Sequence, residues 1–208
     1  MCGGHDMIRM YLESMIIYIL IGSPIYLLSR YLYVKYKTQQ IVWMKETLLF
    51  LFVMFCIGVA SQTIIPHWYI TVEEGKQQLY IQWSEGLRSI NFIPFATIIS
   101  YFALENDQVS NWNEVSLVNL LGNILIFVPF GIFLPLLWKA FRTFSSIFWI
   151  AICIPLLIEI IQLFIGRSTD IDDVILNAVG IMFGFGLYKM FQNLFHIGKD
   201  SGIRRNSK

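Results

Sequence analysis

Charge is what this chain has least of. Only 14% of its 208 residues are Asp, Glu, Lys or Arg, against 56% hydrophobic, and the mean hydropathy is +0.62. Soluble domains carry roughly 25% charged residues. This composition therefore excludes an ordinary water-soluble globule and points to a protein whose solvent, and first partner, is the lipid bilayer. The residual net charge is +1, and nothing in the sequence suggests a nucleic-acid partner. Cysteine is equally sparse: Cys2 is terminal, and Cys56 and Cys153 sit in apolar runs, with no disulfide framework and no metal spacing. The three histidines, His5, His67 and His196, are dispersed and form no HExxH pattern. No metal and no cofactor is expected, and His67 beside Trp68 reads as an interfacial residue. No cleavable signal is evident either. The apolar run from Met15 lacks a small-residue cleavage pattern and contains Pro24, so it reads as a retained helix. With Cys2 rather than glycine after Met1, MCGGHD does not read as a myristoylation motif.

What is present is long uncharged sequence. Thr47 to Pro66 and Val115 to Trp138 carry no charge, and Thr143 to Gly166 carries only Glu159. Each is long enough to cross a hydrocarbon core of about 30 Å at about 1.5 Å per residue. Tyr11 to Tyr33, uncharged from Ser14 to Ser29, and Asp172 to Phe195, uncharged from Val174 to Tyr188, complete five spans. The expected fold is all-α: a polytopic membrane helical bundle of five transmembrane helices. Lys and Arg are biased in this arrangement. Eleven of the fifteen fall on one side, leaving Arg9, Lys76, Arg88 and Arg167 on the other. The positive-inside tendency then places the N-terminus outside and the C-terminus in the cytoplasm. The basic tail, GKDSGIRRNSK, reads as topology charge.

The one long non-spanning stretch, Pro66 to Glu114, lies on the predicted outer face. Trp68, Tyr69, Tyr80 and Trp83 read as interfacial aromatics, and Ile90 to Leu104, short and broken early by Pro94, as an interfacial or re-entrant outer helix.

Polar groups inside the spans are the remaining signal. Asn119 and Asn123 are four apart, on one helix face near the outer end of span three, with Gly122 beside them as a small residue permitting close approach. Glu159 and Gln162 share a face of span four, eight and five residues before Arg167 at the outer edge. An ionised carboxylate at that depth costs on the order of 3 kcal/mol unless it is paired, neutral or facing a wet cavity. Asp170, Asp172 and Asp173 precede or open span five, where capping of its free amides accounts for one or two of them. Asn177 lies four residues past Asp173 on the same face, and Gly180 and Gly184 continue that stripe in a spacing suited to tight helix packing. With alternating spans, all these polar positions, and Ser61 and Gln62 of span two, fall at one depth. A convergent polar pocket opening outward is the economical reading.

In order and spacing, NFIPF (91–95), NLLGNILIFVPFGIFLP (119–135) and EIIQLFIGRSTDIDDVILNAVG (159–180) with the trailing Gly184 resemble the VanZ-like family of bacterial membrane proteins. The resemblance covers about residues 85 to 190 and divides the chain into a two-helix segment with the start of the outer loop (1–84), a VanZ-like membrane domain (85–195) and a basic cytoplasmic tail (196–208). It implies a bacterial cytoplasmic-membrane location and a link to reduced susceptibility to teicoplanin-type glycopeptides. Carried over position by position, it points to Asn91, Pro94, Asn119, Asn123, Gln162, Arg167, Asp170 and Asn177 as ligand-binding candidates and to Glu159 and Asp173, which their carboxyl chemistry rather than the resemblance makes candidate acid or base groups. Three functions suit such a pocket. One is binding or remodelling of a lipid-linked cell-wall precursor, with amides and acids on sugar hydroxyls and Arg167 on phosphate. Another is intramembrane acid/base catalysis by Glu159 or Asp173, against which no nucleophile constellation or metal set is visible. A third is proton-coupled transport, for which five spans without an inverted repeat offer little support.

Overall fold

The computed structural model describes residues 4–37, 41–64, 67–73, 76–82, 90–103 and 112–195. Cys2, Trp83, His196 and the basic tail lie outside them. The elements in chain order are α1 (Gly4–Lys37), α2 (Trp43–Thr63), β1 (His67–Glu73), β2 (Lys76–Gln82), β3 (Ile90–Asn91), α3 (Ala96–Ala103), α4 (Trp112–Leu137), a 3-10 turn (Lys139–Phe141), α5 (Phe144–Ile165), β4 (Thr169–Asp170) and α6 (Ile171–Phe195). Among the described residues, five stretches are long and apolar enough to cross a membrane: Met15–Lys37, Trp43–Thr63, Asn119–Leu137, Phe144–Ile165 and Ile171–Gln192. These are the five spans read from hydropathy, and the protein is an all-α, multi-pass membrane bundle.

Two small strand pairs were not anticipated. β1 and β2 form an antiparallel hairpin with Tyr69 opposite Tyr80 and Glu73 opposite Lys76. Aromatic and β-branched residues here suit a pleated ribbon as well as a membrane interface. β3 and β4 pair in parallel, Ile90 with Thr169 and Asn91 with Asp170. The segment read as one outer helix, Ile90 to Leu104, instead begins as this strand and turns at 92–95. Its described helix, α3, has eight residues and rises about 12 Å.

The exterior is apolar, as lipid requires: Leu20 is 66% and Phe164 81% exposed. Hydrocarbon solvates such side chains as well as a core does, so association rests on close packing and polar contacts. The tightest contact joins α4 to α6. A Cβ added at Gly131 would collide with the Ile181 carbonyl oxygen, one at Gly180 with that of Ile124, and one at Gly184 with that of Val128. The glycine stripe on α6 thus packs as expected, but its partner on α4 is Gly131. At Gly122 an added Cβ meets nothing within 4 Å among the described residues, so that glycine does not mediate the close approach expected of it. Around this crossing Phe127, Phe130, Ile147, Ile181 and Phe185 are buried, and α2 adds Phe55 against Phe130 with ring centroids 5.1 Å apart. At the other end of the bundle, Arg30 of α1 forks onto Glu46 of α2 with two 2.7 Å hydrogen bonds.

The turn from α5 to α6 is built by Gly166, whose φ of 82° is accessible at little cost only without a side chain. Arg167 N donates to Gln162 O at 2.9 Å and Gly166 N to Leu163 O at 3.4 Å, the paired closure of a Schellman motif. That reversal sends the chain straight through β4 into α6.

Candidate functional site

One end of the bundle collects the termination of α2, the start of α4, the α5–α6 turn and the 90–97 segment. The sequence-predicted polar residues gather there, in three groups.

The first group joins α2 to α5. The last carbonyls of a helix have no partner within it. Here Gln162 Nε2 donates to Thr63 O at 2.9 Å, and Arg167 Nη1 to Gln62 O at 3.0 Å, where the helix dipole also favours a cation. Beside them Ser61, 2% exposed, donates to Gly58 O at 2.6 Å. The second group joins α4 to α6: Asn123 Nδ2 donates to Asp173 Oδ1 at 2.6 Å. Asn177, one turn farther along α6, is 5% exposed, and its Oδ1 has no hydrogen-bond partner among the described residues. Asn119 lies on an exposed position of α4.

The third group ties the 90–97 segment to the head of α6. Asp170 caps α6, accepting at Oδ1 from Asp172 N at 2.9 Å. The same carboxylate accepts from Asn91 Nδ2 at 3.2 Å and from the Thr97 hydroxyl. Asn91 also donates to Thr97 Oγ1 at 3.1 Å and accepts from Ile93 N at 3.0 Å, which shapes the turn carrying the exposed Pro94. Asp172 is fully buried and does not cap its own helix. Its Oδ1 accepts from Phe95 N, and its Oδ2 from Thr97 N at 2.8 Å and Ile98 N at 3.0 Å, so it caps α3 from 74 to 77 residues away. Phe95 is held there with φ 66°, a left-handed conformation rare for a bulky residue.

Glu159 stands at the junction. It is 4% exposed on α5, and its Oε2 accepts from Asp170 N at 3.1 Å, while no hydrogen bond reaches Oε1 among the described residues. It lines a cavity of about 80 Å³ between α5 and α6 together with Phe92, Leu156, Ile160, Thr169, Asp170 and Val174. Asn123 and Asp173 thus meet each other, whereas Glu159 meets the backbone of Asp170. Two participants, Asp172 and Thr97, were not among the sequence-derived candidates. Asp172 was visible only as one of three acids before a helix, and Thr97 carried no signal beyond lying just after NFIPF. Among the described residues no group of three or more His, Cys, Asp and Glu side chains is placed to hold a metal ion.

Comparison with known proteins agrees with the family resemblance. Residues 24–192 match the family model described as VanZ/LLP1, a match reaching back into α1. Protein VanZ of Enterococcus faecium is 34% identical over 102 residues, 49% of this chain and 53% of that protein. The chain therefore spans about half the length of the curated relative it matches. No solved structure matches it.

Proposed function

Given that this chain belongs to the VanZ/LLP1 family, we propose that it lowers bacterial susceptibility to teicoplanin-type glycopeptides by engaging a lipid-linked component of the cell envelope at the polar end of its bundle. The observation that carries this reading is Glu159: a buried carboxylate in a membrane-spanning helix, with one oxygen held by the Asp170 amide and its side chain on the wall of a cavity. A carboxylate maintained at such depth marks function more often than packing. Expressed in a sensitised bacterium, the wild-type protein is expected to raise the teicoplanin concentration needed to stop growth, with little effect for vancomycin. Glu159→Gln, at equal membrane abundance, is expected to abolish that shift. A Gln variant as protective as wild type would remove Glu159 from the function.

For this role the polar end must face outward, with the N-terminus outside and the C-terminus in the cytoplasm, as the Lys and Arg bias favours. After replacement of the native cysteines, Ser168→Cys in the α5–α6 turn is expected to react with a membrane-impermeant maleimide on intact cells. Lys139→Cys is expected to react only once the membrane is opened. The reverse pattern would invert the protein and end the outer-leaflet reading.

A further inference from the structure

Between α5, the head of α6 and the turn at 92–95 lies a cavity of about 80 Å³ whose lining is almost entirely apolar. Leu156, Ile160 and Leu163 of α5, Ile171 and Val174 of α6, and Phe92 of the turn supply its walls. The carboxylates nearby are engaged elsewhere: Glu159 Oε2 accepts from the Asp170 amide, and Asp170 accepts from Asn91 and Thr97. The space therefore offers a ligand apolar contact and little hydrogen bonding. Leu156 and Ile160 are 42% and 43% exposed on a membrane-spanning helix, and Phe92 is 68% exposed. The cavity thus opens sideways, toward the lipid.

The turn that carries Phe92 is fixed from behind. Asn91 pairs with Asp170 across β3 and β4, and its side chain accepts from Ile93 N at 3.0 Å. The fully buried Asp172 accepts from Phe95 N, and Phe95 is held at φ 66°. Strained backbone of this kind persists where the surrounding structure over-determines it, and it clusters at ligand clamps. Bulk lipid needs no such wall, because it conforms to any apolar surface. A rigid aromatic wall on an open apolar slot suits one chain of fixed cross-section instead. One water requires about 10–15 Å³ on a comparable measure, so about 80 Å³ holds roughly five to eight water-sized groups. That is a short run of methylenes, too little for a headgroup or a second chain. Methyl branches widen a chain and would overpack the slot.

We infer that this slot seats a single straight acyl chain of a membrane glycerolipid, running along Leu156 and Ile160 with Phe92 across it. The lipid is recognised by its chain and not by its headgroup. Such a site stands without the function proposed above, because no polar group takes part in it.

The test uses the full chain in nanodiscs of diphytanoyl phosphatidylcholine, whose methyl-branched chains are too wide for the slot. The probe is a trace of straight-chain phosphatidylcholine with a diazirine in its acyl chain, and adducts are mapped by mass spectrometry. They are expected on residues 156–163 and 171–174, at least about tenfold above those on the exposed Leu20 and Leu28 of α1. Unlabelled straight-chain phosphatidylcholine and phosphatidylglycerol should displace the probe within about twofold of each other, and polyprenyl phosphate at least about tenfold less well. Phe92→Ala removes an exposed wall and is expected to lower the yield about three- to tenfold at an unchanged melting temperature. Val174→Phe should lower it further by filling the slot. If that variant fails to fold, Phe92→Ala carries the test alone. Labelling as strong on α1 as on α5, best displacement by polyprenyl phosphate, or indifference to Phe92→Ala would each overturn the site. A preference for one headgroup would overturn recognition by the chain.

Discussion

Gly184→Ala, a single added methyl, is expected to destabilise the protein by roughly 3 kcal/mol, toward the upper end of overpacking costs. On intrinsic grounds the substitution should help, because alanine is favoured over glycine inside a helix by about 1 kcal/mol. The sign reverses because the new Cβ would meet the Val128 carbonyl oxygen, a backbone atom that cannot rotate away. Gly186, two residues on, is the internal control: a Cβ there meets nothing within 4 Å among the described residues, and the position is exposed. Gly186→Ala should therefore melt at or above the wild-type temperature in detergent. Gly184→Ala should melt well below it and elute from size exclusion as a broadened or aggregated peak. Equal melting of the two variants would dismiss the backbone contact between α4 and α6.

Asp172→Ala is expected to be nearly as damaging, in a more local way. It leaves the Phe95, Thr97 and Ile98 amides without their acceptor. Each unsatisfied buried donor costs about 1–3 kcal/mol; allowing for partial rehydration, the total loss is on the order of 3 kcal/mol. Asn is no rescue, because it keeps one acceptor and turns an NH₂ toward amides that are themselves donors. Hydrogen exchange reads the effect directly. Amides 95–98 should lose protection in both variants while those in the middle of α6 keep theirs. Retained protection at 95–98 would show that something other than Asp172 holds the start of α3.

How much of this could be read from the sequence depends on how local the cause is. The spans were legible because hydrophobic length is a local property, and long uncharged runs have few other uses. The gathering of Asn123, Glu159, Arg167 and Asp170 at one end was legible as well, because alternating spans fix which ends share a side. Which acid does what was not. Asp170 caps the next residues of its own chain, as its place before a helix indicates. Asp172 serves amides more than seventy residues away, and no local pattern encodes that. Gln162 and Arg167 were read as pocket residues, yet in the structure they hold the carbonyls that end α2. Gly131 was hidden between two prolines, while Gly122, which looked more suitable, faces no close neighbour among the described residues. In lipid an apolar face is not a buried face, so periodicity, the usual guide to helix partners, carries little information.

The glycine crossing also determines what this protein can move. Three close backbone approaches leave α4 and α6 no freedom to slide, because a shift of one residue along either helix would bring side-chain-bearing positions onto the opposing carbonyls. The two helices behave mechanically as a single strut, with Asp173 and Asn123 fixed to it. The cavity beside Glu159 is walled on one side by this strut, through Val174, and on the other by α5 and the turn carrying Phe92. α5 and that turn, which carry Glu159 and Phe92, stand outside the strut.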